Sequence, residues 1–455
     1  MAIDAALAGR LDDQLENDLR REGRLGLVKR YLEGDHDMPY MPRGAKKEYE
    51  HLAKRSITNW TPLLSDTFAK GLFVDGYRPA NSGENVTGWQ WWQANRLDAR
   101  QSITHRGALD YGTAYNLVLP GTVQTRRVPL IKPLSPLRSA AWYQDEDDEF
   151  PEVGINRKGT TIDGTRLIEL YDKTSVYTFA KPKDSDKWTL SRVDDHNLGY
   201  TPLVRFRDRL DGEARGIILP LKTLQDRVNE VVFSTLIALQ YASFRQRWAS
   251  GLAIPEDEDG NAVEPFQAAI DRLWIADSEG AKFGDFAQTE LTGHMSAYDN
   301  TVRTLAAVAQ ISPNILTGDL VNLSADALAQ MEASTQRKIS EYETLFGESW
   351  ESTFRLASLA AGDAQGAVDT SSQVRWRDTE ARSLAQTVDA LGKMAQMLSV
   401  PVEALWEKIP GITDTDVAYW KSIKDETDLI GGLVAEMQRQ TAAPNPDALN
   451  GTSAA

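Results

Sequence analysis

The sequence predicts an α+β fold dominated by long helices, and three observations carry that expectation. Apolar residues recur three and four positions apart over several unusually long stretches. The middle of the chain, from Thr113 to about Arg209, changes to a period near two. A short insert rich in turn residues separates two of the long helical stretches.

Taken from the N-terminus, Leu7, Leu11, Leu15 and Leu19 keep a four-residue spacing that lines one face of a helix. Tyr49, Leu52, Ala53, Ile57, Leu64 and Phe68 mark a second amphipathic segment, ended by Gly71. A third runs through GWQWWQANRLDARQSITHRGALDYG, where Trp89, Trp91 and Trp92 crowd together. Their large apolar areas predict a covered core. A base-stacking platform would need interleaved cations, which are sparse in this stretch.

The segments AYNLVLPG, RSAAWYQD, PEVGINRKG, TRLIELYDKTSVYTF, KWTLSRV and TPLVRFRD are rich in β-branched and aromatic residues. Gly, Pro, Asp and Asn punctuate them, so they predict a mostly antiparallel β region. The acidic run Asp145, Glu146, Asp147, Asp148, Glu149 falls between two such strands and is read as a solvated turn.

A second long helix follows, IILPLKTLQDRVNEVVFSTLIALQYASFRQRWAS. Leu221, Leu224, Val228, Val231, Thr235, Leu239 and Ala242 alternate three and four apart along it. Such a seam requires a neighbouring helix, and HMSAYDNTVRTLAAVAQ repeats the rhythm through Met295, Tyr298, Val302, Leu305 and Ala309. The insert between them, with the strand-like LWIA, predicts a small α/β module at their tip. Its Asp257, Asp259 and Asn261 fit the first, third and fifth places of an EF-hand loop, but Ala262 and Ala268 stand where the glycine and the bidentate glutamate belong, which rejects calcium.

From Ile311 the chain predicts an irregular loop, ISPNILTGDLVNL, opening one long helix to Ala361. Leu328, Met331, Thr335, Ile339, Tyr342, Phe346, Trp350, Phe354 and Ala357 form its apolar stripe, opposite Gln336, Lys338, Glu341, Glu343 and Glu348. Ser324 suits the N-cap, Asp326 the first turn, and Gly347 is a candidate kink. At 1.5 Å per residue the helix would span roughly 55 Å, more than a compact domain needs.

Composition narrows the function. With 455 residues, 41% hydrophobic and 25% charged, the chain can bury a real core in two to four domains. It has no apolar run of membrane-spanning length and no signal-like N-terminus, so neither membrane insertion nor secretion is expected. Zero cysteines exclude disulfides, thiol nucleophiles and cysteine metal sites. A net charge of −16 argues against simple electrostatic adhesion to nucleic acid. Phosphate-loop, dinucleotide, zincin and nucleophile-elbow motifs are missing. His36, His51, His105, His196 and His294 show no ligand spacing and are expected at the surface or in caps. No cofactor, metal or catalytic residue is therefore assigned.

The order of these parts resembles the portal proteins of tailed bacteriophages, most closely those typical of siphophages infecting actinobacteria. The resemblance is carried by the helix ending in FRQRWASG, the acidic insert with RLWIAD, ISPNILTGDLVNLSADALAQMEASTQRKISEYETLFGESW, and PVEALWEKIPGITDTDVAYWKSI. It implies a mainly helical portal fold in a closed, dodecameric ring at one capsid vertex. Its parts would be a wing from 1 to 215 with the long helix 324–375, stem helices at 216–245 and 289–310, a clip at 246–288, a tunnel loop at 311–323, a crown at 376–440 and a disordered tail at 441–455.

The implied function is a non-enzymatic conduit for packaging and ejecting double-stranded DNA, made in the host cytoplasm and built into the virion. Implied partners are the terminase large subunit, a head-tail adaptor, and the major capsid and scaffolding proteins. Leu316, Thr317, Asp319, Leu320, Val321 and Asn322 would face the DNA. Arg245, Arg247, Trp248, Glu256, Asp257, Glu258 and Asp259 would face the terminase or adaptor. A duplex that must slide calls for weak, sequence-blind phosphate contact, and the tunnel segment offers few fixed cations. The alternatives are another virion structural protein, such as an adaptor or minor head protein, and a metal-dependent nucleic-acid enzyme built on Asp257, Glu258 and Asp259.

Overall fold

The computed structural model describes residues 3–41, 47–79, 87–123, 126–243, 247–250, 280, 282–285, 291–318, 325–377, 384–409, 411–412 and 415–427. Contacts divide the chain into two units. One comprises Met1–Gly26, Ser65–Ile217 and Leu323–Ala455; the other comprises Leu27–Leu64 and Ile218–Asn322.

The helices α1 (Ala5–Leu19), α2 (Arg24–Glu33), α3 (Lys47–Arg55) and α4 (Thr61–Gly71) open the fold. Asp4 caps α1, accepting the Leu7 amide at 2.7 Å, and Leu7, Leu11 and Leu15 are buried as their spacing predicts. The single segment expected from Tyr49 to Gly71 is two helices. Asn59 ends the intervening stretch, accepting both the amide and the hydroxyl of Thr61 at the start of α4.

Strand β1 (Val74–Arg78) leads to α5 (Thr87–Ala94) and α6 (Leu97–Tyr111). The expected single helix is broken at Arg96, which sits in the left-handed region at φ 57°. Asn95 holds the break, donating to the carbonyls of Trp91 and Pro129 and accepting the Ile131 amide, each at 2.9 Å. Gly112, at φ 85°, caps α6. A side chain there would stand 2.6 Å from the Ala214 backbone, so both its conformation and its surroundings call for glycine.

The period-two region forms β2 (Thr113–Leu119), β3 (Thr122–Val123), β4 (Arg126–Arg127), β5 (Leu130–Leu134), β6 (Ser139–Trp142), β7 (Val153–Thr160), β8 (Arg166–Tyr171), β9 (Ser175–Lys181), β10 (Thr189–Asp195) and β11 (Leu203–Arg207). Strands β6 to β10 make an antiparallel five-stranded meander, while β2 lies between β11 and β5 in a three-stranded antiparallel sheet. Tyr115, Leu117, Leu134, Tyr171, Val176 and Leu203 join the sheets in one core. Helix α1 is fixed to the meander by buried Asp12, which pairs with Arg157 at 2.6 Å and Arg166 at 3.1 Å.

Next come α7 (Ile218–Ser243), β12 (Arg247–Ser250), β13 (Lys282–Asp285), α8 (Thr292–Ala309), α9 (Pro313–Thr317), α10 (Ala325–Ala361), α11 (Ala364–Ala367), β14 (Gln373–Trp376), α12 (Leu384–Leu398), α13 (Val402–Trp406) and α14 (415–427). Helix α10 has the predicted extent and runs unbroken through Gly347. From Thr335 onward its whole predicted stripe is buried.

That stripe is the axis of an aromatic core. Trp350 lies 4.8 Å from Trp92 and 5.1 Å from Phe206, Phe346 lies 5.7 Å from Tyr342, and Phe354 stacks on Tyr77 at 3.9 Å. Trp89, Trp91 and Trp92 are all buried, as the core expectation requires. His105 sits in the same core, fully buried, which corrects the expectation of a surface or capping residue. The Trp350 indole donates to its Nε2 at 2.9 Å and its Nδ1 faces the Leu72 carbonyl at 3.2 Å, so the ring carries its proton on Nδ1. Burial drives its pKa down to about 4.

Candidate functional site

The second unit contains the two long helices that the sequence singled out, α7 and α8, packed against each other. Their seams are buried unevenly. Leu221 and Val228 on α7, and Val302, Leu305 and Ala309 on α8, are covered; Leu239 and Met295, nearer the connection through β12 and β13, are 41% and 56% exposed. The predicted seam is therefore covered at the end away from the connection and opens at Leu239 and Met295 toward it, while Phe233 and Ala238 stay buried and Val308, off the seam, is exposed. The antiparallel pairing of β12 with β13, Arg247 opposite Asp285 and Ser250 opposite Lys282, brings the two chain directions together.

The sealed end is held by polar side chains, which the apolar rhythm did not reveal. Gln225 and Asn229 are fully buried on α7. Gln225 accepts the Trp60 amide at 3.2 Å and donates to the Thr58 carbonyl at 2.7 Å, while Asn229 accepts the Thr58 amide at 3.0 Å and donates to His36 Nδ1 at 2.9 Å. His36 Nε2 faces the Tyr31 carbonyl at 3.0 Å, and its ring stacks on Tyr31 at 4.5 Å. Tyr31 donates to Asp226 at 2.6 Å; Lys222 bridges Asp226 at 2.8 Å and Asp37 at 2.7 Å; Arg30 completes the chain to Asp37 at 3.0 Å. The one sequence signal for this was a pair of amides at i and i+4 on an otherwise apolar face.

Electrostatics follow from the geometry. Hydrogen bonds from Lys222 and then Arg30 pull Asp37 down to about 2, against its burial. Burial lowers the His36 pKa, partly offset by its bonds to Tyr31 and Asn59. Burial and the bond to Asp226 raise the Tyr31 phenol. Both ring nitrogens of His36, His105 and His196 are engaged within the fold, so none of the three presents a lone pair to a substrate. His36 and His196 are buried too, against the surface expectation.

The segment after α8 is ordered where a loop was expected. Gln310 adopts a left-handed cap at φ 60°, and the Ile311 amide returns to the Ala306 carbonyl at 3.0 Å. Pro313 at the first turn starts α9, and Gly318, at φ 72°, ends it with its amide on the Asn314 carbonyl. Leu316 is thereby buried at 6% exposure, packed into its own unit, and Thr317 is half-buried with its hydroxyl on the Pro313 carbonyl. Asp319, Leu320, Val321 and Asn322 lie outside the described residues, as do Arg245, Glu256, Asp257, Glu258 and Asp259. Arg247 and Trp248 belong to β12. No helix among the described residues is long and apolar enough to cross a membrane.

The chain matches the family model described as "Phage portal protein, SPP1 Gp6-like" over residues 12–428. The portal protein of Mycobacterium phage D29 is 26% identical over 354 residues, 73% of this chain and 71% of that protein. The portal protein of Mycobacterium phage L5 is 24% identical over 353 residues, with the same coverage. Among solved structures, a chain from the virion of a native gene transfer agent particle aligns with a TM-score of 0.44 and 13% identity, over 82% of this chain and 99% of that one.

Proposed function

This chain belongs to the SPP1 Gp6-like family of phage portal proteins, and from that premise we propose that it forms the closed ring at a capsid vertex through which double-stranded DNA enters and leaves. The observation that carries the reading is the family match, which runs across both units and every long helix. As a portal protein it is a structural component of the virion. The ring, its twelvefold symmetry, the DNA path, and the docking of terminase, adaptor, capsid and scaffolding proteins belong to the proposal.

Within it, α7 and α8 are the stem, β12 and β13 the base of the clip, and α10 with the two sheets the wing. Residues 27–64 group with α7 and α8 by contact, so we assign them to the foot of the stem and not to the wing. The solvent-facing Leu239 and Met295 support burial against neighbouring subunits, because a closed ring repeats one heterologous contact around its axis. The channel-facing part of the tunnel loop is assigned to Asp319 through Asn322, since Leu316 is taken up by the fold itself. Arg245, Arg247, Trp248 and the acidic residues Glu256 to Asp259 are assigned to the clip surface. A non-enzymatic, structural role follows the family and belongs to the same proposal.

Electron microscopy of the purified chain tests the ring directly. Annular particles with a duplex-wide channel are expected, and particles of only one or two subunits at every salt concentration would remove the proposal. Deleting Asp319 to Asn322 should leave the rings intact and impair DNA retention; loss of the rings instead would make the segment a structural linker.

A further inference from the structure

The hairpin of β6 and β7 carries opposite charge at its two ends. At one end, Lys132 on β5 and Arg138 flank the turn that leads into β6, and the Arg157 amide bonds the Arg138 carbonyl at 2.7 Å, which places Lys158 on the adjoining strand. Arg100, on α6, belongs to the same group: Lys158, Arg138 and Arg100 all act on Lys132. Arg100, Lys132 and Arg138 form no ion pair among the described residues. The carboxylate in their midst, Glu169, is already engaged by Lys158 at 3.1 Å and by the Tyr171 hydroxyl at 2.6 Å. Burial, and beyond it the neighbouring cations, lower the Lys132 pKa, with Glu169 opposing them.

At the other end, the exposed turn after β6 carries Asp145 to Glu149. Arg205 there donates to the Glu146 and Asp148 carbonyls, not to their carboxylates, and stacks on Tyr143; Arg355 takes Glu149 at 3.2 Å. Arg207 lies within the field of Glu146 and Asp147. Those two carboxylates nevertheless make no ion pair among the described residues. The four residues of β6 put the two ends about 13 Å apart along the backbone.

We infer that Arg100, Lys132, Arg138 and Lys158 dock against the Glu146 and Asp147 end of the same hairpin in a neighbouring copy of this chain. The inference rests on the ring reading. A heterologous contact needs two different, complementary patches on every subunit, and the two ends of this hairpin, the basic one joined by Lys132 of β5 and Arg100 of α6, supply both. Copies carrying −16 each repel, so a surface of unpaired cations is where an acidic neighbour gains most. Duplex DNA fits the patch less well, because the Glu169 carboxylate stands within it and would repel phosphate.

Charge reversal tests this on the full chain. Lys132→Glu with Arg138→Glu, or Glu146→Lys with Asp147→Lys, should each raise the concentration needed for assembly at low salt at least about tenfold, measured by light scattering. All four substitutions together should restore wild-type assembly. Wild-type assembly of either double variant, or a quadruple variant that melts normally yet stays monomeric, would overturn the pairing. So would a Lys132→Glu, Arg138→Glu variant that assembles normally but loses binding to a short fluorescent duplex, which would make the patch a nucleic-acid surface. Failure of the wild type to assemble would remove the ring reading instead, and this inference with it.

Discussion

The two long helices of this fold are held in opposite ways. Helix α10 is gripped by rings: Phe346, Trp350 and Phe354 are fully covered, and a short polar relay from the Trp350 indole through His105 to the Leu72 carbonyl threads the cluster. Helix α7 is gripped at its sealed end by amides and ions, with Gln225 and Asn229 bonded to Thr58 and His36, and Lys222 and Asp226 to Asp37 and Tyr31. Apolar packing gives more stability per residue and tolerates small shifts; hydrogen-bonded networks give less, but fix one register because every misplaced bond is lost. A helix proposed to hold a stem in place around an axis is better served by the second arrangement.

The comparison is broken most strongly at Trp350. Trp350→Ala should cost about 4 kcal/mol, combining a large cavity with an acceptor on His105 left without its donor. Chemical denaturation followed by tryptophan fluorescence measures this, and a loss below about 1 kcal/mol would mean the ring cluster is not the axis of its unit.

Acid separates the two units further. His105 is neutral in the fold, so its contribution is complete above its unfolded pKa near 6.5 and is lost as pH falls toward about 4. Asp110, accepting from Ser65 and raised by burial to about 6, works the other way: its neutral form suits the fold, so it adds stability as pH falls from about 6 toward 4. The two slopes oppose each other in one unit. In the other unit, His36 and Asp37 are both depressed and both lose stability in acid, the half-exposed Asp37 by about 1 kcal/mol after allowing for solvent screening. Amide exchange at pH 3, between the unfolded and folded pKa of Asp37, should therefore open α7 before α10. Asp110→Asn should abolish the difference by exposing the His105 slope, a loss of about 3 kcal/mol between pH 6.5 and pH 4; an unchanged acid profile would show that Asp110 does not balance His105.

Much of this was legible in the sequence, and the misses share a cause. Spacing placed α10 and its stripe, and the period-two segments gave β2 and β6 to β11 their positions, because burial of one face is a local property of sequence. The amide pair on α7 was readable, but the partners of the polar anchors were not: Asn229 meets His36 across 193 positions and Trp350 meets His105 across 245. A histidine buried by a distant partner looks the same in sequence as one on the surface. The break at Arg96 was missed similarly, since Asn95 is fixed by Pro129 and Ile131 on another element. For the candidate site, the helix pair was readable, whereas the burial of Leu316 depended on a cap at Gln310 that no side-chain preference for that conformation announced.

The polar grip is tested at Asn229. Asn229→Ala leaves the Thr58 amide and His36 Nδ1 without partners in a closed site, and should cost about 2 kcal/mol. Asn229→Leu, which fills the volume but restores neither bond, should do no better. Equal stability of the leucine variant and the wild type, by thermal melting, would show that α7 is held by packing after all and that the contrast with α10 is one of degree.

The smallest expected effect settles whether α10 needs to bend. Gly347 lies inside the helix, where glycine costs up to about 1 kcal/mol relative to alanine. A methyl group there would meet only Trp376 and Val374, each at 3.6 Å, ordinary contact distances. Nothing among the described residues excludes it, so Gly347→Ala should raise stability by about 0.5 to 1 kcal/mol. Gly71→Ala is the control: its methyl would fall 2.5 Å from Ile339 on α10, within the ring-held core, and should destabilise. If Gly347→Ala stabilises the isolated chain yet lowers the yield of assembled particles, the glycine is kept for a bend that α10 makes only in assembly. If both properties improve, α10 is a rigid strut and Gly347 has no mechanical role.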